Sequence, residues 1–133
     1  LDTIPVHPDA PLGSLKRGLA KLRAGQSVCI FPEGKLSTDG RMVGFQAGVS
    51  FLQRKTRVPV VPVSIQGGFR AWAWGKRFPR LGTPIHLEIG APIAPPIAND
   101  DGQQTWVIEQ AVRALTRRRH PAFAPVHLLQ VVY

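Results

Sequence analysis

Acidic residues are scarce. Eight Asp and Glu stand against seventeen Lys and Arg, a formal net charge of +9. Such a balance points to an anionic partner: a phosphorylated small molecule, an acidic lipid headgroup or a nucleic acid. Cysteine is almost missing. The single Cys29 excludes a disulfide framework and fits a reducing compartment. It falls in an apolar run, where it is expected to pack as a small hydrophobe. No apolar run approaches the ~20 residues that span a bilayer, and no signal peptide is visible. There is no internal repeat, no cluster of metal-ligating residues and no Gly-rich nucleotide fingerprint. What is present is 133 residues, 44% of them hydrophobic: enough for one globular domain around one core.

The chain is organised around Phe31-Pro32-Glu33-Gly34-Lys35-Leu36-Ser37-Thr38. A short apolar run, Val28 to Phe31, stops at Pro-Glu-Gly. A charged, hydroxyl-rich loop follows, and then a segment of helical period. This is the sequence form of a strand, a functional turn and a helix. In open α/β sheets ligands sit beyond the carboxyl ends of strands, where this loop lies. Gly34 lets a ligand or another backbone come close. Lys35 and Arg41 supply positive charge, and Ser37 and Thr38 supply hydroxyl donors. Together they suit a phosphate or other small anion. Glu33 does not fit simple anion binding. It can accept from a substrate hydroxyl, or brace the loop by accepting from backbone N–H groups. A plain turn with solvated charges has the same composition.

The block "FPEGKLS" resembles the FPEGTRS block of the glycerolipid acyltransferases, which acylate glycerol-3-phosphate and lysophospholipids. Val58-Pro59-Val60-Val61-Pro62-Val63 resembles that family's next block, in the right order and at about the expected distance. Leu1-Asp2-Thr3-Ile4-Pro5-Val6-His7-Pro8 looks like the tail of a third, weaker block. The wording looks most like acyltransferase domains of lysophospholipid type, some of which are fused to a transporter or an acyl-carrier-protein ligase. Two departures stand out. The family's phosphate-contacting Arg falls on Leu36, so that contact is absent or moved to Lys35 or Arg41. The family's catalytic His-x-x-x-x-Asp is also absent. Five residues after His7, His86, His120 and His127 stand Leu12, Ala91, Pro125 and Val132. The expectation is the C-terminal, acceptor-binding part of such a domain, over residues 1–120, with 121–133 as a tail.

The rest of the chain reads as follows. Ser14 is expected to cap a helix whose apolar face is Leu15, Leu19 and Leu22, closed by Gly25. Phe45, Val49 and Leu52 share a second helical face, with Gly48 where helix and sheet approach. Val58 to Ile65 reads as a buried strand, with its two prolines arguing for an edge or a bend. In Phe69 to Arg80, four aromatics and four cations lie within a dozen residues. Trp72, Trp74, Arg70, Lys76 and Arg77 suit a membrane headgroup layer; the same stretch suits stacking on single strands or a loop tucked over the core. Pro84 to Ala91 alternates as a strand with Ile85, Leu87 and Ile89 on one face. Asp101 is expected to cap a helix with Ile108, Ala111, Val112 and Leu115 in the core and Arg117, Arg118 and Arg119 in its last turn.

The expected fold is α/β, a mixed β-sheet flanked by helices, acyltransferase-like and incomplete at the N-terminus. The resemblance implies transfer of an acyl group from acyl-carrier protein or coenzyme A to a lysophospholipid or glycerol phosphate. It implies no bound cofactor, a membrane surface as partner, acyl-carrier protein as a possible one, no nucleic acid, and the cytoplasmic face of the inner (plasma) membrane. Acceptor-binding residues would be Glu33, Gly34, Lys35, Ser37, Thr38 and Arg41; no catalytic residue lies in the chain. The rival readings are a basic nucleic-acid module built on Trp72, Trp74 and Arg117–Arg119, and a membrane-surface module without catalysis.

Overall fold

A computed structural model describes residues 3–5, 11–97, 100–117 and 125–131, with the backbone alone for Pro11, Arg117 and 125–131. Most of the segment Leu1–Pro8, including His7, and Arg118 and Arg119 lie outside the described residues. The order is α1 (Pro11–Arg23), β1 (Val28–Ile30), α2 (Gly48–Thr56), β2 (Val60–Gln66), α3 (Gly68–Ala71), β3 (His86–Ile89), α4 (Asp101–Arg117) and β4 (Pro125–Val131).

Helix α1 begins at Pro11, a turn earlier than a Ser14 cap predicts. Proline at the first helical position has no N–H to leave unpaired. The Ser14 hydroxyl donates instead to the Pro5 carbonyl at 2.8 Å. The expected stop at Gly25 holds. Its φ is +77°, Gln26 N–H donates to Lys21 O and Gly25 N–H to Leu22 O, the paired bonds of a Schellman ending. Leu22 is fully buried, with Leu15 and Leu19 against the same cluster. Gly48 serves a helix–helix contact rather than a helix–sheet one: a Cβ there would stand 3.2 Å from Leu15 Cδ2.

The four strands form one sheet in the order β1-β4-β2-β3. Every pairing among the described strands is antiparallel, where the sequence leads one to expect a mixed sheet. β1 and β2 each run antiparallel to β4, so they are parallel to each other with α2 as the connection. β4 comes from the segment read as a tail. Its insertion separates two strands that a βαβ unit would place side by side.

Pro62 also departs from expectation, because β2 is an interior strand. The Pro62 carbonyl accepts Gly90 N–H at 2.8 Å. A residue's N–H and C=O point to the same neighbour, so the donor that proline lacks faces Gly90. The β2–β3 ladder ends one residue earlier, at Val63 and Ile89. The proline thus sits where a ladder stops, which an interior strand tolerates.

Helices α1, α2 and α4 share one core with the sheet: Leu22, Val49, Leu52, Ile108 and Val112 pack with Val28, Val58 and Val60. The other face of the sheet carries Val61, Val63 and Ile65 from β2. Cross-strand partners share a face, and Val63 and Ile65 pair with Ile89 and Leu87. Cys29, expected in the core, is exposed; Val28 and Ile30 on either side of it take the helix-facing positions. At α4 the cap is Asp100, whose carboxylate accepts Gln103 N–H at 2.9 Å. Asp101 instead accepts two bonds from Arg54, each 2.7 Å. No helix among the described residues is long and apolar enough to cross a membrane.

Candidate functional site

β1 and β2 are parallel, so the loops after them leave the same end of the sheet. Residues 31–47 leave β1 and residues 67–85 leave β2. Pro32 and Glu33 turn inward and are buried, while Phe31, Gly34, Lys35 and Leu36 are exposed. Gly34 has φ +68°, the left-handed region that residues with a Cβ enter at a cost. The tight turn closes with Gly34 N–H on Phe31 O, and Gln46 N–H on Pro32 O ties the loop's far end back.

Glu33 is 8% exposed. Its Oε2 accepts Val43 N–H at 2.8 Å, so among the described contacts it braces the loop. Two residues on, Phe45 N–H donates to Glu109 Oε2 of α4 at 3.0 Å. Glu109 Oε1 in turn accepts from Arg113 Nε at 2.9 Å and pairs with its terminal nitrogen at 2.8 Å. Two carboxylates, one from the loop and one from α4, therefore pin alternate amides of the 43–45 stretch. Backbone N–H groups captured by carboxylates form strong, charge-assisted bonds. Phe45, read as helical, precedes α2, and its amide is available for this reason. Burial pushes the Glu33 carboxyl up; the Val43 N–H, Arg113 and Lys35 pull it back, while the charge of Glu109 pushes with the burial.

The outer part of the loop faces solvent. Lys35, Thr38 and Arg41 are exposed and Ser37 is half-buried. Ser37 Oγ lies 3.1 Å from the Arg41 carbonyl and 3.3 Å from Asp39 Oδ1. Asp39 accepts Arg41 N–H at 3.0 Å, which, ahead of the Ser37 hydroxyl and the Arg41 charge, holds its carboxyl below the usual range. Arg41 Nε stands 3.8 Å from Asp39, both side chains largely in water, a pairing of little strength. The loop thus joins a rigid inner half with an outer rim of two cations, two hydroxyls and the Asp39 carboxylate, which engages Ser37 and Arg41; Lys35 and Thr38 add exposed groups of a kind that can meet a phosphate.

Glu109 and Arg113 are the residues that sequence reasoning missed. Their i,i+4 spacing marks an ion pair on a helix, but nothing local links it to a loop sixty residues earlier. Leu36 is exposed and contributes no polar contact. The aromatic, cationic residues Trp72, Trp74, Arg70, Lys76 and Arg77 are also exposed, which removes the reading of a loop tucked over the core. No group of three or more His, Cys, Asp or Glu among the described residues could hold a metal ion.

A family profile described as Acyltransferase matches residues 1–66. The chain is 42% identical over 62 residues to 1-acyl-sn-glycerol-3-phosphate acyltransferase BAT2, chloroplastic, of Brassica napus, covering 47% of this chain and 18% of that protein. It is 30% identical over 105 residues to a 1-acyl-sn-glycerol-3-phosphate acyltransferase of Limnanthes douglasii, covering 78% of this chain and 34% of that one. The crystal structure of the 1-acyl-sn-glycerophosphate (LPA) acyltransferase PlsC from Thermotoga maritima superposes with a TM-score of 0.69 at 29% identity, over 79% of this chain and 44% of that chain. The chain therefore spans about a third or less of the curated relatives it matches.

Proposed function

We propose that this chain, which matches the Acyltransferase family profile over residues 1–66, is part of an acyltransferase and holds the acceptor during acyl transfer to a lysophosphatidic acid or a related glycerol phosphate. The observation that carries the reading is the braced loop. Glu33 and Glu109 fix its inner half by the amides of Val43 and Phe45, and Lys35 and Arg41 stand exposed on its rim. A pre-formed loop offers its cations to a phosphate without first paying to order them. The relatives carry 1-acyl-sn-glycerol-3-phosphate in their names, which supports a phosphate-bearing acceptor.

In the transfer, the acceptor's hydroxyl oxygen attacks the thioester carbonyl of an acyl-coenzyme A or acyl-carrier-protein donor. The new C–O bond forms, the C–S bond breaks, and the hydroxyl proton passes through a base to the departing thiolate. Lys35 and Arg41 hold the acceptor phosphate, Ser37 and Thr38 add donors, and Gly34 admits the glycerol backbone. None of the four histidines has an Asp five residues on. The base comes from outside these 133 residues, and the isolated chain binds acceptor without turning it over. The acceptor lies in a membrane at the cytoplasmic face of the inner membrane.

The test is binding of 1-acyl-sn-glycerol-3-phosphate to the chain, with Lys35→Ala and Arg41→Ala. Each substitution is expected to weaken binding about tenfold, the scale of one charge-assisted contact. Equal affinity for the phosphate-free monoacylglycerol, or unchanged affinity in both variants, overturns the reading. So does turnover by the isolated chain once contaminating enzyme is excluded.

A further inference from the structure

Helix α4 lies along α2 on a hydrogen-bonded seam that ends at the 31–47 loop. Arg54 holds the Asp101 carboxylate by two bonds of 2.7 Å. Gln104 Nε2 donates to Gln53 Oε1 at 2.7 Å, and Gln53 Nε2 donates onward to the Ile93 carbonyl at 2.8 Å. The Ser50 and Thr105 hydroxyls lie 2.7 Å apart. The last rung is the bond from Phe45 N–H to Glu109 Oε2 at 3.0 Å. Residue numbers fall along α2 as they rise along α4, so the two run antiparallel and the rungs follow one line. Ser50, Gln53, Gln104 and Thr105 are all buried.

Cohesion does not require these groups. Val49 and Leu52 of α2 and Ile108 and Val112 of α4 already share one apolar cluster, and replacing both partners of a buried hydrogen bond by apolar groups of like shape is close to neutral. What the polar rungs add is register. Apolar attraction has no preferred direction, whereas a hydrogen bond is short and directional. Helices pack ridges into grooves, so neighbouring registers stand about one turn, ~5.4 Å, apart. A slide of that size breaks every rung. In one direction it also brings Arg113, four residues beyond Glu109, to the Phe45 N–H and sets donor against donor. Polar positions within an apolar helix contact fix register in coiled coils in the same way.

We propose that the α2–α4 seam fixes the register in which Glu109 meets the Phe45 N–H, which makes Ser50, Gln53, Gln104 and Thr105 positioning residues for the 31–47 loop. None of the four lies in that loop. They act through Glu109, by holding α4 where its carboxylate reaches the loop's backbone. Their part in acceptor binding rests on the function proposed above; the register itself does not.

Amide hydrogen exchange of the full chain, followed by NMR, reads the last rung directly. Two variants remove rungs in matched pairs: Ser50→Ala/Thr105→Val and Gln53→Met/Gln104→Met. Their denaturation midpoints should stay near that of the wild type, while exchange of the Phe45 N–H rises about tenfold, the scale of one hydrogen bond. The rise should approach that in Glu109→Ala, which removes the acceptor itself. The exchanged pair Ser50→Thr/Thr105→Ser keeps the hydroxyl contact and should keep wild-type protection. Affinity for 1-acyl-sn-glycerol-3-phosphate should fall several-fold in the two apolar pairs. Unchanged Phe45 exchange in both folded apolar pairs overturns the proposal, whatever the acceptor does. So does exchange that rises only in step with global unfolding, or a loss of protection in the exchanged pair equal to that in its apolar counterpart. A wild type that fails to bind acceptor, while Phe45 exchange responds as expected, overturns the acceptor reading and leaves the seam standing.

Discussion

Glu33 reaches ten residues along the chain to accept the backbone N–H of Val43 at 2.8 Å, from a position 8% exposed. One side chain thereby converts an exposed, hydroxyl-rich loop into a fixed frame. Glu109 repeats the device from α4 on Phe45 N–H.

Glu33→Ala should destabilise the chain by about 1 kcal/mol, the cost of leaving the part-buried Val43 N–H without its acceptor. Glu33→Gln keeps an acceptor oxygen and should cost less. Because both carboxylates hold one short stretch, Glu33→Ala and Glu109→Ala should be non-additive. A coupling energy near zero in a double-mutant cycle by urea denaturation would contradict the shared frame.

The same carboxyl sets a pH signature. Burial, the largest influence, raises its pKa in the folded chain, so the native state holds the proton more tightly than the unfolded one. Its contribution to stability is full at acid pH and declines as pH rises from the ordinary Glu range through the raised native value. The stability difference between wild type and Glu33→Gln should follow that slope. A flat difference across the range refutes the assignment.

Asp101 gives the opposite sign. The Arg54 guanidinium, bonding it twice, holds its carboxyl below the usual range. Its contribution is present above the ordinary Asp value and is lost as pH falls through the depressed one. Asp101→Asn should cost about 1 kcal/mol, discounted because both side chains keep partial solvent contact. Thermal denaturation near neutrality and again at acid pH should show that cost shrinking in acid.

Gly90→Ala should destabilise by about 1–3 kcal/mol through overpacking. The new Cβ would meet Pro62 Cγ at 2.9 Å and the Leu115 methyls at 3.3 Å. Removing the ring in Pro62→Ala/Gly90→Ala should recover part of the loss. Denaturation midpoints that show no recovery would place the strain elsewhere.

Gly34→Ala tests the turn itself. Its Cβ would stand 3.5 Å from Gln46 Cγ, ordinary contact, so the cost is the backbone at φ +68°, about 1–2 kcal/mol. Acceptor affinity should drop with it, read by titration with 1-acyl-sn-glycerol-3-phosphate. Unchanged stability would mean that the turn adopts another conformation freely.

Much of this architecture was legible locally. The Leu15, Leu19 and Leu22 spacing, the stop at Gly25, the core face Ile108, Val112 and Leu115, and the strand-to-turn break at Pro32 each rest on neighbours within a few residues. The cap of α4 was misplaced by one position because Asp100 and Asp101 are equivalent as sequence. Only the distant Arg54 claims the second and leaves the first to the helix amides.

The sequence by itself determined the periods of the helices, the turn at Gly34 and the excess of positive charge, because these depend on local sterics and composition. Tertiary structure alone decided that β4 lies between β1 and β2, that Glu33 spends its carboxylate on Val43 while Glu109 takes Phe45, and that Leu87 and Ile89 face outward. Alternation places those two on one side of a strand. Which side the helices cover depends on pairings with residues far along the chain, and no local pattern records them.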